Sequence, residues 1–449
     1  MQYLQIICKN IGENMLIEFK VKNFGPFRDE ILLSMVASNY DKTTFEEENV
    51  AKITNHDLRL LKTAAIFGSN ASGKSQLLNA LTWLRYFVVS GGSSRNEQLE
   101  IPRFRLAEHS ASSPTSFTIV FLQNEKIFEY GIVLGTNVVI EEWLNVWITN
   151  RKTVIYHRDG TGLKSSSLYF KVGKIIQKAK QVKGWNLYLT KAFEYEQPGN
   201  ELILEVRDWF DRLRTFPGND SSGFEVFMNG NHYNTSTRDR HLEFIRNADF
   251  SIEDVVFNKS KDSLVLPDSM EGQPVWVAEV SRLFHKVQEL IPDKAVIELK
   301  TKHKRLKNDG TYDVVEFSRS EESAGTVKFI ALAGPILDTL IKGGILLVDE
   351  LDTQLHPNLV KKIIEEFNSK ERNSKNAQLI FNSHNTATLG NLRRDQIWFA
   401  KKDGLGVATI EPLSDYKYGP RKEENLEARY LDGRFGAVPY LGKFGIKAS

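Results

Sequence analysis

The sequence predicts an α/β protein built around a P-loop nucleotide-binding core, with a β-rich N-terminal lobe and a mainly helical insertion. Three observations predict it. The apolar run LLKTAAIF enters the glycine-flanked loop GSNASGK, and a segment with helical spacing of apolar residues leaves it. A second apolar run, ILLVDE (345–350), ends on two carboxylates. Around it, strand-like and helix-like segments alternate, the pattern of a parallel sheet.

The chain has 449 residues, too many for one compact core, so two lobes or one interrupted domain are expected. A composition of 41% apolar and 26% charged residues places it among globular proteins. The net charge of +2 gives no global attraction for nucleic acid or membrane, so any basic contact surface must be local. A single cysteine, Cys8, excludes an internal disulfide framework and a cysteine-built metal site, and fits a reducing cytoplasm. No apolar run reaches the ~20 residues of a membrane span, and no signal peptide is expected. Met15 opens a better strand than Met1, so residues 1–14 read as an extension and either methionine as the start.

In chain order, LIEFKVKNF (16–24) alternates as a half-buried strand, GPF turns it, and DEILLSMVAS forms a second strand. The acidic FEEEN is expected to be solvated loop. KSQLLNALTWLRYFV is the helix after the P-loop, and SGGSSRNEQ is a break. TSFTIVFLQNEKIFEYGIVLG reads as a hairpin turning at QNEK. VVIEEWLNVWI and SLYF follow as strands. ELILEVRDWFDRLRTF, STRDRHLEFIRNA and VWVAEVSRLFHKVQELI suit amphipathic helices, with PGNDSSG as a loop. AVIELKTKHKRLKNDGTYDVVEFSRSE is a hairpin turning at Asn308-Asp309-Gly310. Then come a helix (GTVKFIALAGPILDTLIKG), the ILLVDE strand, a helix (NLVKKIIEEFNS) and the strands AQLIFNSH, DQIWFAKKD and VATIEPL. The expected organisation is 15–174 for the N-terminal half of the nucleotide domain, 175–295 for the helical insertion and 296–449 for the C-terminal half.

The loop satisfies G-x-x-x-x-G-K-[ST] with Gly68, Gly73, Lys74 and Ser75. Its glycines let the backbone N–H groups of Ser69, Asn70, Ala71, Ser72 and the start of the helix at Gln76 turn toward phosphate, where the helix dipole adds to them. Lys74 is expected to reach the β and γ phosphates and Ser75 to bind Mg²⁺. Asp349 and Glu350 end a core strand, the position where ligands bind in open α/β sheets. Asp349 would hold Mg²⁺ through water, and Glu350 would polarise the attacking water. ATP and Mg²⁺ are the cofactors so implied.

SEESAGTVKFIAL (320–332) places Ser323-x-Gly325 at the head of a helix just before the ILLVDE strand. LDTQLHP follows Glu350 directly, and His384 ends the next strand in LIFNSHNT. Together with FKVKNFGPF before the P-loop, these motifs resemble the ABC-type branch of AAA-family ATPases that includes SMC, RecF and OLD-like proteins. The resemblance implies an ABC-type P-loop NTPase fold, with Ser323 and Gly325 as the signature that caps a nucleotide held by another copy, LDTQLHP as the D-loop and His384 as the switch histidine. Some 275 positions separate Lys74 from Asp349, so the nucleotide fold is interrupted, as in that branch. The signature lacks the transporter sequence, no Q-loop glutamine is assignable (Gln123 lies in a hairpin turn), and there is no long coiled coil and no ring-motor arginine finger.

DELDTQLHP, SEESAGT, FNSHNT and YLDGRFGAVPYL look most like bacterial stand-alone ATPases of the RloA and AriA kind. That implies an ATP-dependent homodimer or higher oligomer partnered with an effector, a nuclease or toxin encoded nearby, in anti-phage defence or a toxin–antitoxin pair. A DNA or phage component is a further partner on this reading; a membrane is not. A RecF-like DNA-repair ATPase is the alternative, and a transporter engine a weaker third. KTKHKRLK (300–307) could contact a phosphate backbone, but a solvated hairpin face is the preferred reading.

Overall fold

The structure, a computed structural model, describes residues 13–90, 101–148, 151–182, 184–195, 199–216, 235–248, 251–260, 296–416 and 425–438. The chain divides into two compact units, Met1–Asp220 with Pro335–Ser449, and Ser221–Gly334. The described residues of 175–216, grouped with the insertion by the sequence, thus belong to the unit that holds the P-loop. SGGSSRNEQ, PGNDSSG and VWVAEVSRLFHKVQELI lie outside the described residues, apart from Ser90 at the end of a helix.

The first unit opens with β1 (Asn14–Lys22) and β2 (Ile31–Ser34), then the one-turn helix α1 (Glu46–Asn49), β3 (Val50–Ile53) and β4 (Leu58–Leu61). Strand β5 (Thr63–Gly68) leads through the loop to helix α2 (Lys74–Ser90). The meander β6 (Thr115–Gln123), β7 (Lys126–Leu134), β8 (Val139–Trp147), β9 (Lys152–Asp159) and β10 (Gly162–Ser165) follows. Helices α3 (Lys171–Lys178), α4 (Tyr188–Ala192) and α5 (Glu201–Arg212) end in β11 (Leu213–Phe216). The second unit contains α6 (Thr235–Arg246), β12 (Ile252–Ser260), β13 (Val296–Leu306) and β14 (Tyr312–Ser318). Helix α7 (Ala324–Lys342), β15 (Ile345–Val348), α8 (Pro357–Asn368), β16 (Gln378–Asn382), β17 (Ile397–Lys402), β18 (Ala408–Pro412) and α9 (Leu426–Leu431) complete the chain.

The first unit is α/β. Its antiparallel sheet has the order β10-β9-β8-β7-β6-β1-β2, and its central sheet the order β11-β15-β16-β5-β17-β18. In the central sheet every pair is parallel except β17–β18. Side chains of α2 (Leu77, Leu81, Leu84, Phe87) share one contiguous core with Phe19 and Phe117 of the antiparallel sheet and with Ile66, Leu347 and Ile380 of the central one. Parallel strands buried on both faces need continuous apolar runs, which is why TAAIFG, ILLV and QLIFN are buried at every position.

Four local expectations change. FEEEN forms helix α1 rather than solvated loop, because Glu46 is buried against Arg59 (2.6 Å) and the fully buried Arg393 (3.1 Å). The strand expected at SLYF falls earlier, as β10, while Phe170 turns inward to stack on Tyr156 at 4.6 Å. The helical run ending in LRTF stops at Arg212, and Leu213–Phe216 pairs in parallel with β15. The hairpin in the second unit gains a third strand, β12, from the segment expected to be helical. The turn at QNEK is as expected, with Asn124 and Glu125 both at positive φ, the geometry that suits a two-residue hairpin.

In the second unit, four bases of KTKHKRLK face carboxylates. Lys304 lies 2.9 Å from Glu253, Arg305 2.5 Å from Asp313, Lys302 3.8 Å from Asp254 and Lys300 4.0 Å from Glu316. Such a strand presents little uncompensated charge to a phosphate backbone. Helix α7 is long and apolar enough to span a membrane by length and composition, but 67% of that window is buried, as in a core helix.

Candidate nucleotide-binding site

Strand β5 ends at Gly68, whose φ of +155° continues into a loop with Ala71 at +61° and Gly73 at +107°. A Cβ at Gly68 would stand 2.4 Å from the Ala400 carbonyl oxygen and 2.7 Å from Ser72 Oγ, so only glycine fits. Gly73 is packed by Ala408, Phe27 and Pro26. The GPF turn, expected only to reverse the chain, therefore buttresses the phosphate loop, and Pro26 accepts a hydrogen bond from the Ala408 N–H at 2.9 Å.

Lys74 opens α2 and is buried, 6% exposed. Its Nζ donates to the carbonyls of Gly68 and Ser69, both at 2.9 Å, which leaves one of the three ammonium hydrogens with no protein acceptor among the described residues. Ser72 Oγ is buried with no partner among the described residues. A donor and a hydroxyl so placed beneath a helix N-terminus suit an anion.

Strand β15 delivers the carboxylates. Glu350 sits at φ +50°, a left-handed conformation that costs a non-glycine residue ~1–2 kcal/mol. Its N–H donates to Asn382 Oδ1 at 2.5 Å, and its Oε2 accepts from Thr353 Oγ1 at 3.1 Å. Asn382 ends β16, the strand between β15 and β5, and is fully buried. Its Nδ2 donates to Asp349 Oδ1 and, at 3.3 Å, to Ser75 Oγ. The motifs do not identify Asn382; the signal was a polar residue closing an otherwise apolar strand. His384 lies two residues on, its backbone N–H donating to Asp352 Oδ2 at 3.1 Å.

Electrostatics tie these groups together. Burial pulls the Lys74 ammonium below the usual lysine range, while Glu350, Asp349 and Asp352 oppose the shift. Burial also lowers His384, Lys74 adds to the effect, and Asp352, Glu350 and Asp349 oppose it. His384 is thus biased toward neutral imidazole, which can donate one hydrogen bond without carrying charge.

Asn70 through Gln76, Glu350 and His384 line one open cleft of about 1370 Å³, together with Pro26, Arg103, Arg105 and Lys402. Gly68 and Ser69 turn their carbonyls to Lys74, and Asp349 reaches Ser75 through Asn382. Among the described residues, no cluster of three or more His, Cys, Asp and Glu could hold a metal ion. A Mg²⁺ at Ser75 and Asp349 would therefore take its remaining oxygens from phosphate and water, its usual habit with nucleotides. The spare lysine hydrogen, the orphaned hydroxyl and the paired Ser75 and Asp349 oxygens fit a magnesium nucleotide.

Ser323 and Gly325 belong to the second unit. Ser323 Oγ accepts the Thr326 N–H at 3.0 Å and pairs with its hydroxyl at 2.8 Å, which makes it the N-cap of α7. Just before it, Glu322 binds His303 Nε2 at 2.6 Å and the Thr301 hydroxyl, anchoring the head of the helix to β13.

No curated protein matches the chain. Among solved structures it is similar to the SMC head domain from Thermotoga maritima, at 15% identity and a TM-score of 0.38, covering 88% of this chain and 98% of that one. It is similar at the same identity to an SMC head bound to the C-winged helix domain of ScpA, with a TM-score of 0.39 and 88% and 96% of the two chains covered. A family model matches residues 64–390, from the strand that carries the P-loop to beyond His384. By that match the chain belongs to the P-loop family described as "AAA domain, putative AbiEii toxin, Type IV TA system".

Proposed function

We propose that this protein is an ATP hydrolase that dimerises around ATP and Mg²⁺ and uses hydrolysis to control a partner effector in the cytoplasm. The observation that carries the reading is the meeting of Lys74, Ser75, Asp349, Glu350 and His384 at the C-terminal edge of one parallel sheet. Lys74 neutralises phosphate charge and holds the loop closed. Ser75 and Asp349 would hold the metal, which would supply charge to the phosphate oxygens. Glu350 orients water for in-line attack and takes up its proton. His384, kept neutral by burial, donates to the terminal phosphate.

The signature segment supports a two-chain site. Ser323 stands exposed at the head of α7 in a separate compact unit, and a helix N-terminus with a hydroxyl cap is apt for the phosphate of a nucleotide bound by another copy. The family description, which names a putative AbiEii toxin of a type IV TA system, is in keeping with a toxin–antitoxin or defence setting, while control of a nuclease or toxin by an ATPase of the RloA and AriA kind rests on the likeness of the motifs alone. The RecF-like DNA reading is less favoured, since the bases on β13 already face carboxylates.

Light scattering after size exclusion tests the proposal. Glu350→Gln with ATP and Mg²⁺ is expected to run as a dimer and to lose turnover by about 10²–10⁴-fold. Lys74→Ala is expected to stay monomeric. A monomeric Glu350→Gln protein in saturating ATP would sink the clamp. Capture of partners with Glu350→Gln then tests for the effector, and recovery of DNA in place of a protein would favour the repair alternative.

A further inference from the structure

Asn382 spends a whole amide on the two nucleotide motifs, Ser75 at the start of α2 and Asp349 and Glu350 after β15. Its NH₂ group has two hydrogens; one goes to Asp349 Oδ1 and the other to Ser75 Oγ at 3.3 Å. Those are the two oxygens assigned to Mg²⁺ when the cleft is taken as a nucleotide site. Its Oδ1 accepts the Glu350 N–H at 2.5 Å, where the backbone is left-handed. The reverse orientation of the amide would set oxygen against the Asp349 carboxylate and NH₂ against the Glu350 N–H. Only one orientation is compatible with its neighbours, and complete burial holds it there.

We infer that Asn382 is a positioning residue that pre-spaces the Ser75 and Asp349 oxygens for Mg²⁺ and ties their spacing to the backbone of Glu350. The amide hydrogens stand where positive charge is wanted, so the two oxygens are held near each other before metal arrives. A metal taken up by those oxygens would compete with the same amide, whose other end holds the Glu350 peptide. Metal occupancy and the placement of the water-polarising carboxylate are thereby coupled through one side chain. The inference rests on the nucleotide reading and gives a role to the first asparagine of FNSHNT, to which the motif assignment gave none.

Two substitutions separate this role from a merely structural one. Asn382→Leu removes both donors and the acceptor; Asn382→Asp keeps the acceptor for Glu350 but sets a second carboxylate against Asp349. The readout is the ratio of nucleotide affinity with and without Mn²⁺, using a fluorescent ADP and the metal alone as probe. Asn382→Leu is expected to lower that ratio about tenfold, with metal-free affinity little changed, the scale of effect usual for groups that orient metal ligands. Asn382→Asp is expected to raise it, because metal relieves the new repulsion. Changes in the same direction, or none, would overturn the inference; if the leucine variant does not fold, a ratio in Asn382→Asp at or below the wild-type value overturns it alone. If wild type and Lys74→Ala bind the probe equally, the nucleotide reading fails instead.

Discussion

The two ends of the central parallel sheet are built on opposite terms. At the C-terminal end, Glu350, Ala71 and Gln354 hold left-handed backbone, Ser72 Oγ and Asp352 Oδ1 are buried without partners among the described residues, and Lys74 is held only by loop carbonyls. At the N-terminal end, Gln378 takes the Leu16 N–H at 2.6 Å and gives to the carbonyls of Leu16 and Leu61 at 3.1 and 2.9 Å. There Lys62 donates to the carbonyls of Glu48 and Asn368, and Gln396 closes on Thr63 and Asn49. Each end buries a lysine on two carbonyls, but only the C-terminal end sets it beside an open cleft, with orphaned oxygens and left-handed backbone around it; at the N-terminal end the amides of Gln378 and Gln396 are paired within the fold. Strain collected at one edge persists only where the rest of the fold over-determines it, and the N-terminal network provides that rigidity.

The sharpest way to break the contrast is Gly68→Ala. Its Cβ would meet the Ala400 carbonyl at 2.4 Å, so β5 and β17 must part where the phosphate loop begins. The expected result is a loss of ~2–4 kcal/mol in denaturant unfolding. Nucleotide binding should fall by about 100-fold or more, because the loop N–H groups no longer converge. Gly390→Ala, where a Cβ meets nothing within 4 Å, is the control and should stay within ~0.5 kcal/mol of wild type. Equal effects at the two glycines would show that the loop carries no special conformation.

At the opposite end, Gln378→Leu keeps volume but leaves the Leu16 N–H and the Leu16 and Leu61 carbonyls to find new partners. Buried unsatisfied groups cost ~1–3 kcal/mol each and do not simply add, so ~3 kcal/mol is expected in the same unfolding assay. Nucleotide affinity measured on the folded fraction should stay near that of wild type. A variant that loses affinity with no loss of stability would erase the division between the ends.

Much of the site edge was legible because each of its strands is a short apolar run that ends abruptly in polar residues: TAAIFG before the loop, ILLV before Asp349, QLIF before Asn382. Burial on both faces demands such runs, and loops at their ends must carry the chemistry. What escaped depends on partners distant in sequence. Glu46 reads as solvated because its partners Arg59 and Arg393 lie 13 and 347 positions away. Leu213–Phe216 reads as the tail of a helix because its strand pairing with Ile345–Val348 is set by the sheet and not by its own four residues. Asn382 stands in FNSHNT without a role of its own there, and its three contacts on Ser75, Asp349 and Glu350 exist only once β16 is placed between β15 and β5.

The smallest expected effect concerns Lys62, buried at the N-terminal end, where burial lowers its pKa to about 8. The unfolded chain would hold that proton up to the ordinary lysine value near 10.4. Below about pH 8 both states are protonated and the full cost of burying the ammonium is present. Between about 8 and 10.4 the unfolded chain binds the proton that the folded one releases, so stability rises with pH; above that window the cost is gone. Lys62→Met has no such group, so wild type should gain on the variant by ~1–2 kcal/mol between pH 7.5 and 10, a discounted figure because solvent partly screens the site. Urea midpoints of the two proteins at both pH values measure the gain. A constant difference would mean that the ammonium is as well accommodated at this end of the sheet as in water, and that the two carbonyls it meets compensate its burial completely.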